Sequence, residues 1–85
     1  MILSGNDPKF TKEYLSQWII ENPDERYDLS RQVFKNKDFS GWRMSKVLLN
    51  NSKFIHCNFS NADLSEISAI NSEFIDTNFT NAALY

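Results

Sequence analysis

From residue 29 to residue 84, every fifth position of the sequence holds an apolar residue, and all but one of these residues are large. Neither an α-helix, with a period of 3.6 residues, nor a flat β-strand, with a period of two, keeps one face at a spacing of five. A chain with this pattern must turn after every five residues. The apolar centres are Leu29, Phe34, Phe39, Met44, Leu49, Phe54, Phe59, Leu64, Ala69, Phe74, Phe79 and Leu84.

A second period of twenty residues lies on top of the first. Phenylalanines recur at this spacing in two series, Phe34, Phe54 and Phe74 in one and Phe39, Phe59 and Phe79 in the other. A coil with four five-residue sides would stack these rings vertically inside a square solenoid. Fixed internal periods are typical of such repeat architectures.

Charged residues provide an independent test of this register, because residues twenty apart would lie about 4.8 Å apart on neighbouring coils. Within residues 27–85, no pair at this spacing joins like charges, and four pairs join opposite charges: Arg43 and Asp63, Lys46 and Glu66, Lys53 and Glu73, His56 and Asp76. Asparagine pairs at the same spacing would form amide ladders: Asn51 and Asn71, Asn58 and Asn78, Asn61 and Asn81.

Several five-residue units resemble the pentapeptide-repeat family, whose pattern is a small residue, Asn or Asp, Leu or Phe, Ser or Thr, and any residue. The clearest units are residues 57–61 (CNFSN), 62–66 (ADLSE) and 77–81 (TNFTN). The resemblance covers residues 27–85. It implies an all-β solenoid, a right-handed quadrilateral β-helix of about three coils, in which each centre and the residue two positions before it point inward.

Residues 1–26 have a different pattern and are interpreted as an N-terminal segment that precedes the repeat region, residues 27–85. Asp7-Pro8 is typical of a helix start and Asn22-Pro23 of a helix end. Between them, apolar residues recur at helical spacing: Phe10, Tyr14, Leu15, Trp18 and Ile19. We expect one amphipathic helix over about residues 8–21.

The first coil departs from the family pattern at its inward positions, which hold Gln32, Lys37 and Trp42 where small residues are expected. A terminal repeat is expected to be atypical because it contacts a cap. We therefore expect the N-terminal helix to cover the first coil as a cap, with Trp18 close to Trp42.

At the opposite end, the last coil would leave its apolar centres uncovered. Members of the family often dimerise through their C-terminal ends, so the resemblance implies a homodimer that joins there. The candidate dimer residues are Phe74, Phe79, Leu84 and Tyr85. The alternative is that Tyr85 marks the end of a truncated chain.

Outward positions hold a group of apolar residues that are candidates for partner binding. Ile55 and Ile75 are twenty residues apart on one side of the predicted solenoid, and Ile70 and Leu48 lie on the neighbouring side. An exposed apolar patch marks a partner surface when it is large. The alternative is the ordinary scatter of apolar residues on a protein surface.

The charge of the chain limits the classes of partner that it is expected to bind. Nine basic and eleven acidic residues give a net charge of −2, which argues against direct binding of nucleic acid. No basic residue follows Lys53, and four acidic residues form a second candidate partner surface: Asp63, Glu66, Glu73 and Asp76. Some members of the family resemble B-form DNA in width and charge and bind DNA topoisomerase.

Catalysis is not expected. The single histidine and the single cysteine, His56 and Cys57, are adjacent and would point to opposite sides of the solenoid wall, so they cannot form a nucleophile–base pair. No catalytic, metal or cofactor site is predicted, and Cys57 is expected to be a small buried side chain. One cysteine and no apolar run of membrane-spanning length predict a cytoplasmic protein without a membrane partner.

Two hypotheses remain open. In the first, the protein is a non-enzymatic regulator or inhibitor that binds a DNA- or RNA-acting enzyme or complex, as a DNA mimic or a counter-defence protein of a mobile element. In the second, it is a rigid interaction scaffold that docks a protein partner through the apolar side. Acidic docking would weaken with salt, and apolar docking would not.

Overall fold

The computed structural model describes residues 2–85, with one helix and three short strands. Helix α1 spans Lys12–Glu21, and strands β1, β2 and β3 span Val33–Lys35, Lys53–Ile55 and Glu73–Ile75. The strands form a parallel sheet in the order β1-β2-β3, with Phe34 beside Phe54 and Phe54 beside Phe74. This register confirms the predicted spacing of twenty residues.

Residues twenty apart also pair outside the named strands. Parallel bridges form three further ladders: Asp28, Leu48 and Ser68; Asp38, Asn58 and Asn78; Arg43, Asp63 and Ala83. The backbone N–H groups of Leu29, Phe39 and Met44 donate to carbonyls nineteen residues further along the chain. The repeat region is therefore β-helix-like, and we refer to residues 27–46, 47–66 and 67–85 as its first, second and third segments.

The backbone turns at residues that adopt the left-handed conformation and are spaced five apart in sequence. A positive φ occurs two residues after each apolar centre from Leu29 to Phe79: Arg31, Asn36, Gly41, Lys46, Asn51, His56, Asn61, Glu66, Asn71, Asp76 and Asn81. Glycine and asparagine tolerate this conformation better than other residues. Their frequency at these positions explains how the sequence turns at a fixed interval.

The apolar centres from Leu29 to Leu64 form most of the core, and the phenylalanine rings stack in the two predicted columns. In one column, Phe34, Phe54 and Phe74 lie nearly parallel, with ring centroids 5.0 Å and 4.9 Å apart. In the other, the corresponding distances between Phe39, Phe59 and Phe79 are 5.0 Å and 5.4 Å. Burial of these large rings is the main favourable contribution to folding.

Helix α1 begins later than the sequence predicts. The Asp7 carboxylate accepts a hydrogen bond from the Lys9 N–H at 2.8 Å, which forms a separate turn. The helix begins at Lys12, and the hydroxyl of its N-cap, Thr11, accepts from the Tyr14 N–H at 3.1 Å. The predicted start at residue 8 is therefore wrong, whereas the end at Glu21 agrees with the prediction.

The N-terminal segment packs against the first repeat segment through aromatic rings. Trp18 packs edge-on against Tyr27, with ring centroids 4.9 Å apart. Phe10, which precedes the helix, contacts Tyr27 and Trp42, each at 5.5 Å. Trp42 also packs against Phe39, at 4.9 Å. The N-terminal ring in contact with Trp42 is Phe10, whereas Trp18, which was expected close to Trp42, packs against Tyr27.

Residues before the helix also contact the first repeat segment. The N–H of Gly5 donates to Gln32 Oε1 at 2.8 Å, and the Asn6 amide donates to the Val33 carbonyl at 3.0 Å. Gly5 is buried against the Phe34 ring. The large polar residue at an inward position, Gln32, therefore binds the N-terminal segment, and its departure from the repeat pattern was the sequence signal for this contact.

Candidate interaction surfaces

The outward side of the β-sheet carries the first candidate site. The phenylalanine of each strand points into the core, so its two neighbours point outward. We name this surface the isoleucine face. Its residues are Val33, Lys35, Lys53, Ile55, Glu73 and Ile75.

Two ion pairs flank the two isoleucines of this face. Ile55 and Ile75 are neighbours in the parallel register; Ile75 is 42% exposed and Ile55 is half-buried. On one side, Lys53 Nζ lies 3.3 Å from Glu73 Oε2. On the other side, His56 Nδ1 lies 3.7 Å from Asp76 Oδ2, a contact that is ionic when the histidine is protonated. Both ion pairs confirm contacts predicted from the spacing of twenty residues.

Ile70 and Leu48 are not part of the isoleucine face. Leu48 is half-buried and pairs with Asp28 and Ser68 in a different ladder. Ile70 is 65% exposed, and its backbone N–H donates to Asn50 Oδ1 at 2.8 Å. Both residues therefore lie on the neighbouring side of the repeat region, as the sequence pattern indicates.

The other two predicted ion pairs do not form among residues 2–85. Arg43 and Asp63 are neighbours in register, but the Asp63 carboxylate accepts from the Ser65 hydroxyl at 2.7 Å and the Ser65 N–H at 3.1 Å. Lys46 Nζ donates to the Pro23 carbonyl at 3.4 Å and does not reach Glu66. These predictions are wrong because bonds within a turn and to the N-terminal segment compete with contacts along the ladder.

The predicted amide ladders are also absent from the part of the chain that is described. Asn58 and Asn78 are neighbours, yet their side-chain oxygens accept from the N–H groups of Ser60 and Thr80, each at 2.9 Å. Each asparagine therefore stabilises its own turn, which explains why Asn and Asp alternate freely at this position of the repeat.

The aspartates of the first repeat segment make the same turn bonds. A hydrogen bond from the Ser30 N–H is the main cause that lowers the pKa of Asp28 below its ordinary value, and a hydrogen bond from the Ser30 hydroxyl lowers this pKa further. Hydrogen bonds from the hydroxyl and the N–H of Ser40 lower the pKa of Asp38. Both carboxylates are therefore stabilised in the ionised form by their own turns.

The second candidate site is the end of the repeat region at residues 67–85, which we name the end face. Phe74 and Phe79 are half-buried, whereas their equivalents Phe54 and Phe59 are fully buried. Leu84 is 61% exposed and Tyr85 is 87% exposed. The N–H groups of Phe59 and Leu64 have acceptors in the next segment, but those of Phe79 and Leu84 have none within residues 2–85.

The acidic residues do not form one cluster. Asp63 and Glu66 lie in the second segment, whereas Glu73 and Asp76 lie in or next to β3 on the third. The carbonyl of Glu66 accepts a hydrogen bond from the guanidinium of Arg26, a contact that links the N-terminal segment to this corner and that the sequence did not indicate. Of these four acids, Glu73 belongs to the isoleucine face and Asp76 lies next to it.

The described residues show no arrangement typical of catalysis. Cys57 is buried, with Sγ 3.4 Å from the Phe34 carbonyl oxygen, whereas His56 points outward to Asp76. Residues 2–85 contain neither a pocket nor a cluster of three or more His, Cys, Asp or Glu side chains that could hold a metal ion. No described helix is long and apolar enough to cross a membrane.

Comparison with known families identifies the repeats. Residues 48–84 match the family model for pentapeptide repeats, with eight copies. No curated protein and no solved structure matches the chain. The matched region includes β2, β3, the isoleucines of the isoleucine face and most of the end face.

Proposed function

The chain belongs to the pentapeptide-repeat family over residues 48–84, and from this membership we propose that it is a non-enzymatic scaffold that binds a protein partner through the isoleucine face. Pentapeptide-repeat proteins are generally structural or interaction proteins. The function therefore depends on the surface of the repeats, in which outward side chains are held at fixed spacings by a continuous core.

We extend the proposal to the architecture. The repeat region is a right-handed quadrilateral β-helix of about three coils, and the N-terminal segment caps its first coil. The parallel ladders twenty residues apart and the left-handed residues five apart support the four-sided coil. Contacts of Trp18 with Tyr27 and of Phe10 with Trp42 support the cap. The domain boundary at residue 26 stays a prediction, as does the cytoplasmic location.

The observation that carries the docking proposal is the pair of isoleucines between two ion pairs. Serine or threonine is the usual residue at this position of the repeat, and Ser60, Ser65 and Thr80 follow that rule. Ile55 and Ile75 depart from it on adjacent strands, so the departure forms one patch. A rigid patch loses little conformational entropy on binding, and charged side chains around it exclude water from the apolar centre.

The test replaces both isoleucines with the serine that the repeat pattern favours, giving Ile55→Ser/Ile75→Ser. The variant should no longer bind the protein partners that the wild type binds. Binding by the wild type should persist in high salt because the contact is apolar. A matched control is Ile20→Ser, which removes an isoleucine that is 57% exposed on helix α1. Equal loss in both variants, or no loss in the first, would contradict the proposal.

A second candidate function is a regulator or inhibitor of a DNA- or RNA-acting enzyme, in which the acidic residues act in place of nucleic-acid phosphates. The absence of basic residues after Lys53 favours it. Amide substitution of all four acidic residues should abolish capture, and capture by the wild type should weaken steeply as salt increases. The isoleucine-to-serine variant would retain its partner in this case. The acids are Asp63, Glu66, Glu73 and Asp76.

The homodimer expected from the sequence is a separate proposal. Two copies would join through the end face, where apolar rings and unpaired N–H groups are available for contact. The residues concerned are Phe74, Phe79, Leu84 and Tyr85.

A further inference from the structure

Three residues of the isoleucine face form a row that crosses the strands, and we name it the axial row. The parallel register places Lys35 of β1 beside Ile55 of β2, and Ile55 beside Ile75 of β3. Because neighbouring strands lie about 4.8 Å apart, the row presents one cation and two apolar side chains in a line about 10 Å long.

Lys35 is the member of the axial row that carries an unpaired charge. Its side chain is exposed, and its ammonium group makes no hydrogen bond or ion pair with residues 2–85. The other charged residues on this side are paired across β2 and β3, Lys53 with Glu73 and His56 with Asp76. An occupant of the axial row therefore gains a new ion pair if it brings a carboxylate to Lys35.

The spacing of the axial row favours a helical occupant. In an α-helix, residues three or four apart lie on one face with a rise of about 4.5–6 Å between them, which matches the strand spacing of about 4.8 Å. In an extended segment laid along the row, residues on one side are about 6.6 Å apart, so the mismatch reaches about 3.6 Å at the third side chain. An extended segment laid parallel to the strands would lie over a single member of the row.

The charges around the row favour one direction of such a helix. Strands β1 and β2 carry Lys35 and Lys53, whereas β3 carries Glu73 and is followed directly by Asp76. A helix has a partial positive charge at its N-terminus and a partial negative charge at its C-terminus. The favoured direction therefore places the N-terminal end over β3 and the C-terminal end over β1.

We infer that the isoleucine face binds an amphipathic helix of a partner protein, in which two apolar residues one turn apart are followed one turn later by Asp or Glu. The apolar residues cover Ile75 and Ile55 in that order, and the carboxylate pairs with Lys35. This inference rests on the proposed function, because it names the kind of partner that the same docking surface binds.

The experiment begins with selection from a random-sequence phage-display peptide library on the immobilised full chain. Peptides that the wild type retains and Ile55→Ser/Ile75→Ser does not retain are sequenced. We expect two apolar residues three or four positions apart, followed three or four positions later by Asp or Glu. Circular dichroism checks the fold of each protein variant.

A charge exchange then tests the contact with Lys35. Lys35→Glu should weaken the binding of a selected synthetic peptide by about tenfold or more in a fluorescence anisotropy titration, because the peptide carboxylate then meets a like charge. The same peptide with lysine in place of its acidic residue should bind Lys35→Glu more tightly than it binds the wild type. Lys9→Glu is the control, an equal change of charge at an exposed position of the N-terminal segment.

Four results would overturn the inference: selected peptides without the acidic residue, selected peptides with the period of two that is typical of a strand, equal effects of Lys35→Glu and Lys9→Glu, or a charge exchange that does not restore binding. A library that yields no isoleucine-dependent peptide also contradicts it. If the selected peptides depend on the isoleucines but not on Lys35, the proposed scaffold function stands and only the acidic helix is wrong. If Ile55→Ser/Ile75→Ser retains every peptide and every protein partner, the proposed function is wrong as well.

Discussion

Gly5 lies directly against the aromatic ring of Phe34. A methyl group at Gly5 would come within 2.5 Å of a ring carbon. Because Phe34 is fully buried and stacks on Phe54, it cannot move aside without disturbing the column of rings. The N-terminal segment is therefore packed closely against the core of the first repeat segment.

Gly5→Ala should lower the free energy of unfolding by about 1–3 kcal/mol, the usual cost of overpacking. Urea denaturation followed by circular dichroism measures it. Lys9→Ala is the control, because Lys9 is exposed and lies in the same N-terminal segment. Equal stability of Gly5→Ala and the wild type would mean that the segment does not occupy this position.

Phe59→Ala should lower the free energy of unfolding by about 3–5 kcal/mol, because it leaves a cavity in a fully buried column. Phe79→Ala, in the same column, should cost less because Phe79 is only half-buried. Thermal and urea denaturation of both variants give the comparison. A loss below about 1 kcal/mol for Phe59→Ala would contradict its inward position.

Arg31→Asn should raise the free energy of unfolding by up to about 1 kcal/mol, because arginine is strained in the left-handed conformation and asparagine tolerates it. Arg31 has a φ of 61°, and Asn51, the residue twenty further along, has a φ of 57°. The reverse change, Asn51→Arg, should lower stability by a similar amount. Urea midpoints that move in the same direction for both variants would refute the explanation.

Stability should fall in acid in a manner that depends on Asp28 and Asp38. Their pKa values are lowered in the folded state from an ordinary value of 3.8, so their contribution is present above that value and is lost as pH falls through the folded pKa. Asp28→Asn/Asp38→Asn should therefore lose less stability than the wild type between about pH 5 and about pH 2. Asparagine keeps the turn bond, as Asn58 shows. Urea midpoints across this range give the measurement, and parallel curves would contradict the prediction.

The end-face dimer is tested by light scattering. If two copies join through the end face, Phe79→Glu/Leu84→Lys should convert a dimer into a monomer, because charges would be buried in the contact. Lys35→Glu, on the isoleucine face, should leave that dimer intact. A dimer that survives the end-face substitutions would exclude this mode of association.

The sequence predicts the repeat register well, because the same five-residue pattern recurs many times along the chain. The register of the whole sheet is determined once the column of Phe34, Phe54 and Phe74 is aligned. The start of helix α1 was missed because Asp7 and Thr11 are equally good N-caps in sequence, and only the competing turn at Asp7 decides between them.

Surface contacts were predicted less well than the core. Lys53 with Glu73 and His56 with Asp76 form as expected, whereas Asp63 bonds to Ser65 in its own turn. Register brings side chains close, but a local acceptor or donor can still outcompete the neighbour. The candidate interaction residues could be found from sequence because they break the repeat pattern, whereas their framing by two ion pairs required the structure.

Ladders that join residues twenty apart have a consequence for how the chain folds. Each segment closes a loop of the same modest length when it adds to the preceding one, so the entropic cost of each addition is similar. The sequence separation of the main contacts does not increase as segments accumulate, which favours rapid folding for a β-rich protein. Folding can therefore begin with one pair of adjacent segments, such as the pair that stacks Phe39 on Phe59, and propagate to the third.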